Sequence, residues 1–221
     1  MKSRMTVLKS LSLAGLLFSV QAAKADITVF TDQAAYMAAV GDTGTDSFDN
    51  LPYMSTGPIQ RSAGAHGYTV GSAAGAGSPY LFAGGNGVDN WLSANRSQDT
   101  LVFSQFSSQI RGIGGEFFNT AGTGGLIDSG SITLTATEAD GHTVSYALLN
   151  PGVHAFLGFV STGRLRHLSV RSPFQDGLLA FPTVNNLQLS LAAVPEPDTY
   201  AMLLAGLAML GAIARRRRRP A

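Results

Sequence analysis

The sequence predicts an all-β fold, an antiparallel β-sandwich, for the central part of the chain. The clearest observation is a pair of segments, 131–137 and 142–149, in which apolar side chains occupy every second position. Such alternation is typical of half-buried strands. Asp140 and Gly141 lie between the segments, and an Asp-Gly pair favours a tight hairpin turn. Glycine-rich turns and little helical periodicity elsewhere also favour a sandwich.

The remaining elements follow from the same reasoning, and only one of them is a helix. We expect a short helix ending at Val40, with Thr31 as its N-cap and Asp32 in its first turn. The glycine-rich stretches 71–77 and 122–125 are predicted to be turns, because they lack the lysine and the strand-to-helix setting of a phosphate loop. Further strands are predicted at 27–30, 100–103, 109–118, 155–160, 165–171 and 187–192.

The first 25 residues have the three parts of a secretory signal peptide. Basic residues occur within the first nine positions, an apolar run follows at 11–20, and Ala23 and Ala25 precede Asp26. This pattern predicts cleavage by signal peptidase between Ala25 and Asp26. A permanent N-terminal anchor is the other interpretation, but the run is shorter than the roughly 20 apolar residues that a spanning helix needs.

The predicted domain, residues 26–193, is acidic. It contains six arginines, no lysine and twelve acidic residues, which gives a formal net charge of −6. This charge argues against nucleic acid and anionic lipid as partners, because both require a basic surface. The chain has no cysteine, which excludes disulfides, zinc–thiolate sites and thiol nucleophiles.

The C-terminal region combines an extended segment, an apolar run and a basic tail. Pro195 and Pro197 flank Glu196, the apolar segment covers 199–214, and five arginines occupy 215–219. The prolines prevent helix continuation and keep the preceding chain extended. The apolar run at 200–214 is about 22 Å long as a helix, against a hydrocarbon core of roughly 30 Å. We therefore expect a short transmembrane helix with the arginines on the cytoplasmic side.

The succession Val194-Pro195-Glu196-Pro197, apolar run and arginine cluster resembles the PEP-CTERM sorting signal of Gram-negative bacteria. The resemblance implies that exosortase, a membrane protease-transpeptidase, recognises the Pro-Glu-Pro motif within 194–198. It further implies a transient stay in the inner membrane and release to the cell envelope or extracellular matrix. It also implies an association with exopolysaccharide or biofilm. The sorting signal would occupy residues 194–221.

The predicted domain resembles, at its two ends, the domains that such proteins commonly carry. The stretches "ITVFTDQAAYMAAVG" and "DSFDNL" are similar to their opening, and "GFVSTGRLRHLSV" and "VNNLQLS" to their closing strands. This resemblance implies a sandwich of the jelly-roll or carbohydrate-binding kind and implies no defined activity.

One stretch, "GGNGVDNW", has the composition of a sugar site. Asn86, Asp89 and Asn90 provide amide and carboxylate groups beside Trp91, the only tryptophan. Polar groups that orient a ligand beside an aromatic surface are typical of such sites. In the alternative interpretation, Trp91 belongs to the core and Asn-Gly forms a turn.

Catalytic and metal-binding signals are weak. Asp128-Ser129-Gly130 resembles the active-site loop of aspartic proteases, which needs two carboxylates that share a proton. A second copy of the chain could supply the partner, but the triplet is also an ordinary turn. A calcium site at Asp46, Asp49 or Asn50 is chemically conceivable, although the spacing matches no known loop. The four histidines lack the spacing of metal ligands.

We therefore expect a non-enzymatic exported protein, without cofactor or metal, that contacts polysaccharide. A secreted hydrolase using Asp128 and a purely structural matrix protein are the alternatives. An acidic cleft at Asp128 would favour the hydrolase, and a shallow groove containing Trp91 would favour binding.

Overall fold

The computed structural model describes residues 26–73, 78–85, 87–107, 109–173, 177, 179–193 and 204–210 of the chain. The predicted signal peptide, Asn86 and residues 194–203 and 211–221 lie outside this part. Residues 204–210 are helical with exposed side chains. Within the described residues, no helix has both the length and the apolar character required to cross a membrane.

The described part of the domain consists of fifteen strands and one short helix. In chain order they are β1 (Ile27–Phe30), α1 (Gln33–Ala39), β2 (Val40–Asp46), β3 (Met54–Thr56), β4 (Ile59–Ala63), β5 (His66–Ala73), β6 (Tyr80–Gly85), β7 (Asn90–Ala94), β8 (Thr100–Ser104), β9 (Gly112–Thr120), β10 (Leu126–Ile127), β11 (Ser131–Glu138), β12 (Thr143–Leu149), β13 (Phe156–Ser161), β14 (Leu165–Arg171) and β15 (Phe181–Ala192).

The strands form two antiparallel sheets, as the sequence predicts. The nine-stranded sheet has the order β1-β13-β9-β15-β7-β6-β3, and β10 and β2 pair with β9 and β15 respectively. The six-stranded sheet has the order β12-β11-β14-β8-β5-β4. Alternate side chains of both sheets meet in one hydrophobic cluster, which includes Ile113 and Phe117 of β9 together with Phe103 and Leu168 of the other sheet. The domain is therefore a β-sandwich.

A bulge in β15 decides which residues face outward from the nine-stranded sheet. The pairing with β9 shifts register between Asn185 and Gln188, and Asn186 has a positive φ of 49°. The bulge adds one residue to β15 and so shifts which positions face the core after it. As a result, Val184 before the bulge and Leu187 after it both lie in the core. The outer face thus receives polar side chains from both halves of the strand.

Helix α1 covers one end of this outer face. Tyr36 is fully buried and lies against the glycines of β9 and β13. A Cβ atom added to Gly158 would be 2.4 Å from Cδ2 of Tyr36, and one added to Gly112 would be 2.7 Å from its Oη. The Tyr36 hydroxyl is 2.9 Å from Oγ of Ser190. Burial raises the pKa of Tyr36 well above that of an exposed phenol.

Most of the predicted elements are confirmed, with shifts at their ends. The hairpin is present, with Thr137 opposite Thr143, and β1 and β14 have the predicted bounds. The predicted cap Thr31 is wrong. Asp32 is the N-cap, because its extended backbone places its Oδ1 2.8 Å from the amide nitrogen of Ala35. The turn predicted at 71–77 is also wrong at its start, because residues 71–73 pair with β8.

Candidate functional site

A groove opens on the outer face of the nine-stranded sheet. It lies at the C-terminal end of β9, whereas α1 covers the N-terminal end of that strand. Its volume is about 410 Å³, within the usual range of small-molecule sites. Strands β6 and β7, the end of β9 and the start of β15 form it together with the turn 121–124. We call it the β6–β9 groove. Its lining residues are Tyr53, Phe82, Ala83, Gly84, Gly85, Asn90, Ser93, Ala94, Asn95, Thr120, Ala121, Gly122, Thr123, Gly124 and Phe181.

Three hydroxyl groups meet beside the groove. Ser93 of β7 lies opposite Thr183 of β15, and Thr120 of β9 lies opposite Phe181 of β15. The Oγ atom of Ser93 is 2.5 Å from Oγ1 of Thr183 and 3.2 Å from Oγ1 of Thr120. The two threonine oxygens are 2.8 Å apart. We call Ser93, Thr120 and Thr183 the hydroxyl trio.

Aromatic side chains form the apolar part of the groove. Tyr53 is 77% exposed, and its ring meets that of Phe82 edge to face, with centroids 5.6 Å apart. Phe181, the first residue of β15, is partly buried. Gly124, in the turn beside the groove, has a φ of 85°, a conformation that side chains with a Cβ rarely adopt. The turn 121–124 forms part of the lining.

None of the described residues that line the groove is charged. The polar groups are hydroxyls, backbone amides and the carboxamides of Asn90 and Asn95. An ionised ligand would find no counter-charge here, and moving it out of water would be costly. The arrangement suits an uncharged ligand that carries hydrogen-bonding groups.

The structure separates the residues of the predicted sugar site. Asp89 accepts a hydrogen bond from Nδ2 of Asn185 at 2.9 Å. Asn90 lines the groove, and its backbone amide donates to Oδ1 of Asp49 at 3.0 Å. That hydrogen bond is the main cause that lowers the pKa of Asp49. Asn86 lies outside the described residues.

Trp91 lies beside the groove, on the same face of the sheet as Ser93. Its ring contacts Phe118 edge to face at 5.4 Å. It also covers Gly84, where an added Cβ would be 2.3 Å from Nε1 of Trp91. In the described part of the chain, Trp91 is not among the residues that line the groove. It supports the wall to which Gly84 belongs.

Sequence reasoning missed Tyr53, Phe181 and the hydroxyl trio. Ser93, Thr120 and Thr183 are far apart in sequence, and only the pairing of β7, β15 and β9 brings them together. Isolated Ser and Thr residues on strands are too common to indicate a site. Tyr53 lies just before the short edge strand β3, which the sequence pattern does not predict.

Two of the three residues considered for calcium, Asp46 and Asn50, contact the guanidinium of Arg61 instead. Asp46 is buried, and its two oxygens accept hydrogen bonds from Nη2 and Nε of Arg61 at 2.6 and 2.7 Å. The same Nη2 donates to Oδ1 of Asn50 at 2.9 Å. Across the described residues, no group of three or more His, Asp or Glu side chains is arranged to hold a metal ion.

Asp128 is exposed in the connection between β10 and β11. A φ of 84° at Gly130 fits the predicted turn. Asp128 is not among the described residues that line the β6–β9 groove. The acidic cleft that would favour a hydrolase is therefore not formed by this groove.

Comparison with known proteins identifies the end of the chain. Residues 193–219 match the family model of the PEP-CTERM protein-sorting motif. No curated protein and no solved structure matches the chain. The motif indicates an exported protein with a membrane-anchored sorting signal that an exosortase processes.

Proposed function

We propose that this protein, sorted through its PEP-CTERM motif, is a component of the cell envelope or extracellular matrix that binds exopolysaccharide and has no catalytic activity. The match at residues 193–219 carries the proposal. Signal peptidase would remove residues 1–25, and exosortase would act at Val194-Pro195-Glu196-Pro197. The inner membrane would hold the chain only in transit.

The position of the motif relative to the sandwich supports this sequence of events. The last strand, β15, ends at Ala192, and the motif begins at residue 193. Cleavage near Pro197 would therefore leave every strand of the two sheets in place. The arginines at 215–219 would resist passage through the membrane, because each costs about 2.5–3.5 kcal/mol at its centre. Residues 199–214 would act as a temporary stop.

Binding is favoured over catalysis by the chemistry of the β6–β9 groove. The described part of its lining holds hydroxyl, amide and aromatic groups and no carboxylate, whereas a glycosidase needs a pair of carboxyl groups as acid and base. A sandwich of two antiparallel sheets with such a groove suits the jelly-roll or carbohydrate-binding kind of domain. Asp89, Asn90 and Trp91 would contribute at its margin, together with Asn86.

Changing Pro195, Glu196 and Pro197 together to alanine should block processing and leave a full-length chain, still carrying its arginine tail, in the inner membrane. The apolar run and arginines remain, so the chain still stops there. Membrane fractionation of the native host followed by mass analysis would show this. Ala193→Ser, which leaves Val194-Pro195-Glu196-Pro197 unchanged, is the matched control and should be processed normally. Normal processing of the triple variant would contradict the proposal.

A further inference from the structure

We propose that the β6–β9 groove binds an uncharged saccharide, with the Tyr53 ring against a sugar face and the hydroxyl trio beside the sugar hydroxyls. The inference deepens the proposed binding function and rests on it. It assigns the site to residues that the sequence pattern does not indicate.

The charge of the groove and of the domain selects an uncharged ligand. Among the described lining residues, the phenol of Tyr53 is the only ionisable group. The domain as a whole has a formal net charge of −6. A phosphate, a nucleotide or a polymer of uronic acids would be repelled at a distance and would lack a counter-charge in the groove. A neutral sugar meets neither obstacle.

Tyr53 provides an exposed aromatic surface at the groove. Tyr53 is 77% exposed, and its ring contacts that of Phe82 edge to face, with centroids 5.6 Å apart and an interplanar angle of 84°. A large exposed aromatic ring at the edge of a groove is available to cover an apolar ligand surface, and its hydroxyl remains free to contact water or ligand. Sugar rings present such a surface through their C–H groups.

The hydroxyl trio has hydrogen-bonding capacity left for a ligand. Its three oxygens lie within 3.2 Å of one another, and Oγ1 of Thr183 also lies 3.1 Å from the carbonyl oxygen of Phe181. Three hydroxyl protons cannot serve all four contacts at once. Each hydroxyl also has two lone pairs and can rotate. Ser93 and Thr120, which line the groove, therefore keep unused lone pairs that can accept hydrogen bonds from sugar hydroxyls.

Trp91 provides a spectroscopic signal for this site. It is the only tryptophan in the chain, and it covers Gly84 on the groove wall. Among the described residues, its buried indole nitrogen has no hydrogen-bond partner. Ligand that presses on the wall at Gly84 should change the polarity around the indole and so its emission.

The test uses the full-length chain, purified in a zwitterionic detergent without a sugar headgroup, and titrates it with neutral hexasaccharides of glucose and of mannose. Calorimetry and Trp91 emission report binding. A galacturonic acid oligomer and an uncharged Gly/Ser-rich peptide are the competing probes. Tyr53→Ala removes the aromatic surface. Gly122→Leu adds a side chain to the lining of the groove and so should fill it. A Cβ at Gly122 would lie 3.6 Å from the Phe181 ring, which is an ordinary contact without strain.

Two matched control variants change residues that are not among the described lining residues of the groove. Tyr146→Ala removes a 38% exposed tyrosine from the six-stranded sheet, and Gly152→Leu adds a side chain where a Cβ would meet nothing within 4 Å. We expect a neutral hexasaccharide to bind, with at least a tenfold loss in Tyr53→Ala and Gly122→Leu and less than a twofold change in both controls. Thermal unfolding would check that each variant is folded.

Three results would overturn the inference: no binding of any neutral hexasaccharide, equal binding in the two groove variants, or preference for the acidic oligomer or the peptide. None of these would affect processing at Pro195, Glu196 and Pro197. Failure of the groove and failure of the sorting function are therefore distinguishable.

Discussion

Replacing Asp46 with alanine is expected to lower the free energy of unfolding by about 3–5 kcal/mol, because it leaves a buried guanidinium without its counter-charge. The side chains of Asp46 and Arg61 are only 5% and 12% exposed. Tyr68 also donates to Oδ2 of Asp46 at 2.6 Å, and the amide of Phe48 donates to Oδ1 at 3.0 Å. Burial is the largest cause that raises the pKa of Tyr68, followed by the Asp46 charge.

Denaturant unfolding of the full-length chain, followed by Trp91 emission, would measure the loss. Asp128→Ala is the matched control, because Asp128 is exposed and its removal should change the free energy by less than about 0.5 kcal/mol. If the free energy of unfolding fell no more in Asp46→Ala than in Asp128→Ala, the ion pair would contribute nothing to the stability of the fold.

Replacing Tyr36 with alanine should be similarly destabilising, by about 3–5 kcal/mol, since a fully buried aromatic ring is removed. Tyr36 is the centre of a small cluster outside the main core, with the rings of Phe30 and Phe156 at 6.3 and 5.5 Å. Its ring fills the recess over Gly158 and Gly112. Without it, α1 would lose its main contact with the sheet.

Tyr36→Phe separates the ring from its hydroxyl. It keeps the packing and loses only the hydrogen bond with Ser190, so it should cost about 1 kcal/mol. Calorimetric unfolding of the two variants beside the unchanged protein gives both values. Equal losses in the alanine and phenylalanine variants would show that the ring packing is not what holds α1.

The sequence predicts those strands whose two faces differ. In β11, Ile132, Leu134 and Ala136 enter the core while threonines face out, and alternation makes this visible. Strand β9 is also predicted, but the prediction starts it at residue 109, whereas the strand begins at Gly112. Strands such as β2, which includes Gly41 and Gly44, lack the signal. Their pairing depends on close approach to neighbouring backbone, which only the folded chain reveals.

The candidate site is less predictable than the fold. The stretch around Trp91 leads to the region of the β6–β9 groove, because Asn90 lines the groove. The role given to Trp91 as a binding surface depended on its neighbours in sequence, whereas in the structure Trp91 pairs with Gly84 and is not among the described residues that line the groove. The exposed aromatic ring that lines the groove belongs to Tyr53, and the hydroxyl trio comes from three separate strands. Such convergence has no local sequence signature.

The most direct test of the sorting account is the intact mass of the mature protein from its native host. The account predicts a chain that begins at Asp26 and ends near Pro197, without the arginines at 215–219. A chain with the same start that still carries those arginines would show that the C-terminal region is a permanent anchor. A chain that retains Met1 would contradict export through a cleaved signal.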